Sequence, residues 1–257
     1  MSRLEQINKL REQAAETETD MTEARVGGKS RLLPEGYSLA HIVGLIQYGN
    51  QPQSYMGTPK DPAPELTLQF ALYDEGYCNE DGTPYVVEPY PFAESQFEKS
   101  RAFKMFKLLN WDGTGKSWID LITKPIMVQI EHYKGGKDKK ETKSRVKWDG
   151  FLPPIDIRSK KPYDVPALDE DLLVCFLWEY PTLDNWNALR DFHKEKCLDA
   201  LNFAGSELEA MLLANGLPTT YEKKAKQEES EPAEADAPQQ AATNVTSPSQ
   251  MAMPSPE

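Results

Sequence analysis

The sequence has few cysteines and no long apolar run, and each shortage argues against a class of protein. Its three cysteines, Cys78, Cys175 and Cys197, lie far apart and form no CxxC pair, so they predict neither a disulfide framework nor a zinc site. No apolar run approaches the roughly 20 residues of a membrane-spanning helix. The first residues also lack the apolar core of a signal peptide. These absences predict a soluble, cytoplasmic protein with no membrane partner.

Sequence motifs that carry catalysis are missing as well. His41, His132 and His193 are far apart and form no HExxH or HxH pattern, and no serine stands in a GxSxG elbow. The segment at 113–117 reads GTGKS and resembles the end of a phosphate-binding loop, but Asn110 stands where that pattern needs glycine. A helix, rather than a strand, is predicted before it. We therefore predict no enzyme activity, no catalytic residue, no metal site and no cofactor.

Charge is distributed unevenly along the chain, whose net charge is -12. From residue 227 onward every charged side chain is acidic. Because this region is also rich in Pro, Ala, Gln and Ser, residues 221–257 are predicted to form a disordered tail. Residues 1–33 are polar and highly charged and are predicted to be flexible. The body between these ends is less acidic than the chain as a whole.

The hydrophobic pattern predicts five main strands in this body: apolar and polar residues alternate with period two in the second, fourth and fifth, whereas the first has apolar residues on both faces. The predicted strands cover residues 37–48, 65–73, 85–88, 125–133 and 142–151. Gly44, inside the first of them, predicts a bend or bulge. A helix with an apolar stripe is predicted from about residue 95 to 110, between the third and fourth strands.

Five strands with a helix between the third and the fourth is the chain order of an OB-fold barrel. An apolar run at 172–179 predicts an extra strand, and helices are predicted at 183–202 and 206–214. Ser206 is followed three residues later by Glu209, the spacing of a capping box at the start of the last helix. The predicted class is therefore mainly β with helices (α+β). The predicted parts are a flexible segment at 1–33, an OB-fold nucleic-acid-binding domain at 34–180, a C-terminal helical extension at 181–220 and a disordered, acidic and Pro-rich tail at 221–257.

The hairpin formed by the fourth and fifth predicted strands is strongly basic. Between residues 131 and 147 there are seven bases against three acids, a net charge of +4. The bases are Lys134, Lys137, Lys139, Lys140, Lys143, Arg145 and Lys147. A flexible basic loop joined to a basic strand face suits a phosphate backbone, and this loop is a usual nucleic-acid contact of OB folds. A solvated hairpin whose lysines prevent edge-to-edge aggregation accounts for the same residues.

Four tyrosines near this hairpin or near strand ends are candidates for stacking on bases. Tyr133 lies on the outward face of the hairpin, Tyr73 on the outward face of the second strand, and Tyr48 and Tyr55 flank the loop after the first strand. A ring accepts any base at about 1–3 kcal/mol per stacked base. Ordinary packing explains each tyrosine alone, but the set beside a basic loop favours nucleic-acid binding. Trp148 is predicted to lie in the core.

Eight short segments stand out between residue 36 and about residue 215, namely GYSLAHIV at 36–43, GNQPQSYMG at 49–57, ELTLQFAL at 65–72, GTPYVV at 82–87, EKS at 98–100, WDG at 111–113, KP at 124–125 and NFAGS at 202–206. Together they resemble small tailed-phage proteins of the OB-fold single-stranded DNA-binding family. The order of the segments, and no single piece, carries the resemblance. It implies cooperative coating of single strands in phage DNA replication and recombination, in the cytoplasm of an infected bacterial host.

The resemblance also implies self-association on DNA and an acidic C-terminal tail that recruits replication or recombination proteins and competes with DNA for the basic groove. The tail of this chain departs from that pattern. It is acidic in its first half only and ends Pro254-Ser255-Pro256-Glu257, without the terminal aromatic residue that some phage and bacterial relatives carry. This departure weakens the case for recruitment by the tail.

The sequence therefore predicts a sequence-independent binder of single-stranded DNA that has no catalytic activity. The alternative is a protein-interaction or virion-associated scaffold without nucleic-acid binding, in which the C-terminal helices dock a partner. A third hypothesis is a nuclease or NTPase that uses the turn at 113–117 or the carboxylates at 164–171.

Overall fold

The computed structural model describes residues 31–136, 139–156 and 158–220. In this part of the chain, seven strands form one mostly antiparallel sheet. They are β1 (Gly36–Tyr55), β2 (Thr58–Leu72), β3 (Tyr85–Val87), β4 (Phe92–Ala93), β5 (Pro125–Gly135), β6 (Glu141–Leu152) and β7 (Val174–Phe176). The helices are α1 (Arg101–Leu109), α2 (Leu183–Ala188), α3 (Asp191–Leu198) and α4 (Glu207–Ala214).

A long hairpin of β1 and β2 runs through the centre of the sheet. Its two-residue turn is Met56-Gly57, and both residues have positive φ, 50° and 78°, which matches the twist of the flanking strands. The predicted irregularity at Gly44 is confirmed, because the register with β2 shifts between Ile42 and Gly44. A side chain at Gly44 would lie 2.8 Å from Cβ of Gln69, so only glycine allows this close approach.

The sheet has the strand order β3-β2-β1-β5-β6. Short β4 also pairs with β2, and β7 runs parallel to β1. The prediction of an α+β protein is confirmed, but a closed five-stranded barrel is not what the structure shows. Within the described residues β3 and β6 form no ladder with each other, and the sheet is unclosed. β3 is only three residues long, since the prolines at 89 and 91 follow it closely and remove backbone donors.

Several predicted boundaries shift in the structure. Residues 53–64 lie between the first two predicted strands, but in the structure they extend both central strands. The prolines of β2 fit there because proline is accepted at a sheet edge, where its missing N–H is not needed. The long helix begins only at Arg101, where the Ser100 hydroxyl accepts a hydrogen bond from the Phe103 amide at 3.0 Å. The expected strand at 172–179 shrinks to β7. The single helix expected at 183–202 breaks into α2 and α3 at residues 189–190.

Two hydrophobic clusters lie on the sheet. The first cluster is formed by β1, β2, β5, β6 and α1, and its largest fully buried side chains include Phe70, Phe151 and Met105. The second cluster joins the distal half of β1 to β7 and the C-terminal helices through Tyr48, Phe176 and other residues. β1 serves both clusters because its successive side chains point to opposite faces of the sheet, so that Leu45 belongs to the first cluster and Ile46 to the second.

The last helix, α4, has the predicted cap at its N-terminus. Ser206 accepts a hydrogen bond from the Glu209 amide at 3.1 Å, while the Glu209 carboxylate accepts one from the Gly205 amide at 2.7 Å. None of the helices in the described part of the chain has the length and apolar character that a membrane crossing requires. The segments predicted to be flexible at 1–30 and disordered at 221–257 lie outside the described residues.

Candidate nucleic-acid interface

The β5–β6 hairpin places basic residues that were predicted to bind phosphates across from Tyr133, which was predicted to stack on bases. Its antiparallel pairing is confirmed, with Tyr133 opposite Lys143 and Glu131 opposite Arg145. Residues that face each other across an antiparallel pair share one face of the sheet, with Cβ atoms about 4.5–5.5 Å apart. Tyr133, Lys143 and Arg145 therefore form one continuous surface.

Arg145 and Tyr133 make direct contact on this surface. The guanidinium carbon of Arg145 lies 4.9 Å from the centre of the Tyr133 ring, a cation–π distance. The Arg145 Nε group also donates a hydrogen bond to the Glu131 carboxylate at 2.8 Å. These two contacts orient a cation directly beside an aromatic ring. A polynucleotide presents phosphates and bases at a similarly close spacing.

Tyr90 completes the ring cluster, although no sequence pattern singles it out. Its hydroxyl lies 3.1 Å from the hydroxyl of Tyr133. Burial and the hydrogen bond to Tyr133 raise the pKa of Tyr90 to about 12, so Tyr90 stays neutral at physiological pH. Tyr90 stands between two prolines in the loop after β3, and only the folded chain brings that loop to the hairpin.

Arg101, which no sequence pattern singles out, adds a second cation that interacts electrostatically with Arg145. Its guanidinium carbon lies 5.7 Å from the centre of the Trp148 ring. Partial desolvation and the charge of Arg145 lower the pKa of Arg101, while Asp149 opposes this change. Two guanidinium groups that repel each other create a local positive potential, which a bound phosphate would relieve. Trp148, expected in the core, packs against the first cluster but is only half-buried.

The lysines of the hairpin make weak, exposed contacts. Lys134 donates to the Thr142 hydroxyl at 2.8 Å, Lys143 pairs with Glu141 at 3.6 Å, and Lys147 pairs with Asp149 at 3.8 Å. Exposed ion pairs contribute about 0–1 kcal/mol each and are screened by salt, so these ammonium groups can exchange partners for phosphates. Lys139 and Lys140 are exposed. Lys137 lies outside the described residues.

The other three predicted tyrosines do not join this surface. Tyr48 is fully buried in the second cluster, where its hydroxyl lies 2.8 Å from Nδ1 of His193 and burial raises its pKa. No face of its ring is open to a base, so the structure removes Tyr48 from the predicted set. Tyr73 is half-buried, and its ring packs edge-on against His41 with the ring centres 5.5 Å apart.

Tyr55 occupies a different place, at the turn of the β1–β2 hairpin. It is 54% exposed, and the ammonium group of Lys60 lies 4.5 Å from its ring centre. The turn is at the opposite end of β1 from the residues that pair with β5. Tyr55 is thus an accessible ring beside a cation, but it belongs to another part of the sheet than Tyr133.

The turn at 113–117 binds its own carboxylate. The Asp120 carboxylate accepts hydrogen bonds from the Lys116 and Ser117 amides, both at 2.8 Å, and from the Ser117 hydroxyl at 3.0 Å. A phosphate-binding loop needs such amides for its ligand. The turn instead caps the short 3-10 helix Trp118–Leu121. Among the described residues, no group of three or more His, Cys, Asp and Glu side chains is arranged to hold a metal ion.

Comparisons of the chain with protein-family models, with curated proteins and with solved structures find no match. The geometry of the hairpin surface therefore carries the functional interpretation. That surface comprises Tyr90, Arg101, Tyr133, Lys143, Arg145 and Lys147 and is called the hairpin surface below.

Proposed function

We propose that the protein binds single-stranded DNA without sequence preference and protects it during phage DNA replication or recombination. The observation that supports this most directly is the contact between Arg145 and Tyr133, with Tyr90 and Arg101 beside it. Rings stack on any base, and guanidinium groups bind any phosphate, so such a surface selects a polynucleotide without reading its sequence. A duplex hides its base faces, which favours a single strand as the ligand.

The strand order supports the same proposal. An OB-fold barrel opened along one side has its strands in the order 3-2-1-4-5 and its helix between the third and fourth. The order β3-β2-β1-β5-β6, with α1 before β5, corresponds to it when short β4 is set aside. We therefore propose that residues 34–180 are a variant of this architecture. The basic loop then falls between its last two strands, where such folds contact nucleic acid.

The proposal extends to cellular context through the resemblance to tailed-phage proteins. It places the protein in the cytoplasm of an infected bacterial cell, with self-association along the coated strand. Replication or recombination proteins are the proposed partners of the C-terminal tail, which lies outside the described residues.

Changing Lys137, Lys139 and Lys140 together to alanine tests whether the loop contacts DNA. The affinity for DNA falls as salt rises, and each lost phosphate contact on a single strand reduces the steepness of log K against log salt by about 0.7. The slope of the triple variant is therefore expected to be shallower by about 2. Titration of fluorescent oligo(dT) at several salt concentrations measures it.

The matched control removes three exposed bases that lie outside the hairpin, Arg158, Lys160 and Lys161. This control changes the net charge equally but leaves the loop intact, so the slope is expected to stay close to that of the unmodified protein. Equal slopes in the triple variant and the unmodified protein would remove the loop from the interface.

A second candidate function is protein interaction through the C-terminal helical extension. Three large apolar side chains in this extension are at least half exposed, namely Phe192, Leu201 and Leu213, and Tyr180 directly before it is exposed as well. Such side chains are available to a protein partner. Filter binding with poly(dT) in dilute buffer separates the two functions, because retention of the DNA supports the first candidate and its absence supports the second.

A further inference from the structure

The sheet is open along one side, between β3 and β6, and a cleft occupies this opening. The cleft, called the seam below, has a volume of about 200 Å³. Its ionisable lining comprises three arginines, Arg31, Arg145 and Arg190, with Glu88 and Tyr85. Three positive charges against one negative charge leave the lining at +2 in a chain whose net charge is -12.

We propose that the seam is a phosphate-binding continuation of the hairpin surface, through which the backbone of a single DNA strand passes from Tyr133 towards Arg190. This inference rests on the proposed function and adds the course that the DNA strand takes across the protein. It assigns the C-terminal helical extension a direct part in DNA binding, since Arg190 belongs to that extension.

Arg145 connects the two regions, because it contacts the Tyr133 ring and also lines the seam. Arg145 donates its hydrogen bond to Glu131 from Nε. An arginine carries five N–H donors in a planar fork, so its two terminal nitrogens can still bind a phosphate. A strand that stacks on Tyr133 would therefore meet the mouth of the seam at the same residue.

Arg190 is placed at the other side of the seam by a buried network. Its Nη2 group lies 2.6 Å from the Glu88 carboxylate and 3.3 Å from Nε2 of His193. His193 is buried, and its Nδ1 atom lies 2.8 Å from the Tyr48 hydroxyl. Yet the Arg190 side chain is 66% exposed. The network thus fixes an accessible cation over the cleft.

Glu88 has two roles in this arrangement. Burial opposes its ionisation, but hydrogen bonds from His193 and Gln69 and the charge of Arg190 outweigh that effect and lower its pKa. Ionised Glu88 holds Arg190 in place. It also repels a phosphate that approaches the same guanidinium group, so the unoccupied seam keeps its cation paired until a polyanion displaces the carboxylate.

A purely structural role for these ion pairs predicts a different response to substitution. If Glu88 and Arg190 only fasten the helices to the sheet, Glu88→Gln lowers stability and leaves DNA affinity unchanged or weaker. If the seam binds phosphates, Glu88→Gln removes the competing charge and raises the affinity for DNA, even though it lowers stability.

The test compares the full-length protein with Arg190→Ala, Arg190→Lys and Glu88→Gln by titration of fluorescent oligo(dT) at several salt concentrations. Arg190→Ala is expected to weaken binding about tenfold, as the loss of one charged hydrogen bond implies. It is also expected to make the dependence of log K on log salt shallower by about 0.7, because one phosphate contact is lost. Arg190→Lys keeps the charge and should keep the slope. Glu88→Gln is expected to strengthen binding several-fold.

Lys116→Ala is the control, because Lys116 is an exposed base in a turn that lines neither region, and it should bind as the unmodified protein does. Thermal unfolding of each variant shows whether it is folded. If Arg190→Ala is unfolded, the oligo(dT) binding of Arg190→Lys and Glu88→Gln decides whether the seam contacts DNA. Unchanged binding in Arg190→Ala, or unchanged or weaker binding in Glu88→Gln, overturns the seam while the proposed function stands. If the unmodified protein binds no oligo(dT) in dilute buffer, both fall.

Discussion

Replacing Tyr133 by alanine is expected to weaken the binding of oligo(dT) by about 5- to 150-fold, since one stacked base contributes about 1–3 kcal/mol. The change removes the ring that Arg145 covers at 4.9 Å and the hydroxyl that Tyr90 contacts at 3.1 Å. The remaining cations keep their charge, so the salt slope should change little. Fluorescence titration at constant salt measures the loss.

Two variants show whether the ring itself is responsible. Tyr133→Phe keeps the ring and loses only the contact with Tyr90, so it should retain most of the affinity. Tyr180→Ala removes a tyrosine that is 75% exposed but lies in the loop after β7, and it should bind DNA normally. An equal loss in Tyr133→Phe and Tyr133→Ala would mean that the hydroxyl network matters more than stacking.

Changing Gly49 to alanine is expected to cost about 3 kcal/mol or more of unfolding free energy, the largest effect on stability that we predict. Gly49 has a φ of +69°, and an added Cβ would lie 2.7 Å from Trp178 and 2.8 Å from the Asn202 amide oxygen. Neither neighbour can move easily. Trp178 is buried in the second cluster, and Asn202 accepts a hydrogen bond from the Asn50 amide at 2.7 Å. Urea-induced unfolding measures the cost.

Gly57→Ala is the matched control for this substitution. Gly57 also has a positive φ, +78°, but an added Cβ would meet no atom within 4 Å. Only the backbone conformation is then penalised, which costs about 1–2 kcal/mol. If the two variants lose the same stability, the close packing of Gly49 against Trp178 and Asn202 is not what requires glycine there.

The β5–β6 hairpin could be predicted from the sequence because its signals are local. Ile126, Val128 and Ile130 stand at every second position and are buried, whereas the residues between them are only partly buried. Alternation alone therefore identified the face that carries Tyr133 and the facing basic residues. The cap of α4 was predictable for the same reason, since a serine and a glutamate three residues apart act within one turn.

Tyr48 shows where local signals are insufficient. The first strand has apolar residues on both faces, and alternation cannot say which of them a later part of the chain will cover. In the structure Ile42 and Leu45 belong to the first cluster, whereas Ile46 and Tyr48 belong to the second. The C-terminal helices bury Tyr48, and these helices lie more than a hundred residues away in sequence.

The sequence by itself determined the alternation of the strands, the α+β class, the basic charge of one hairpin and the cap of its last helix, because each depends on residues that are close along the chain. Only the tertiary structure decided that the sheet stays open between β3 and β6, that Tyr90 and Arg101 join Tyr133 and Arg145, and that Arg190 stands over the seam. These features depend on contacts between distant segments, which packing selects and local patterns do not encode.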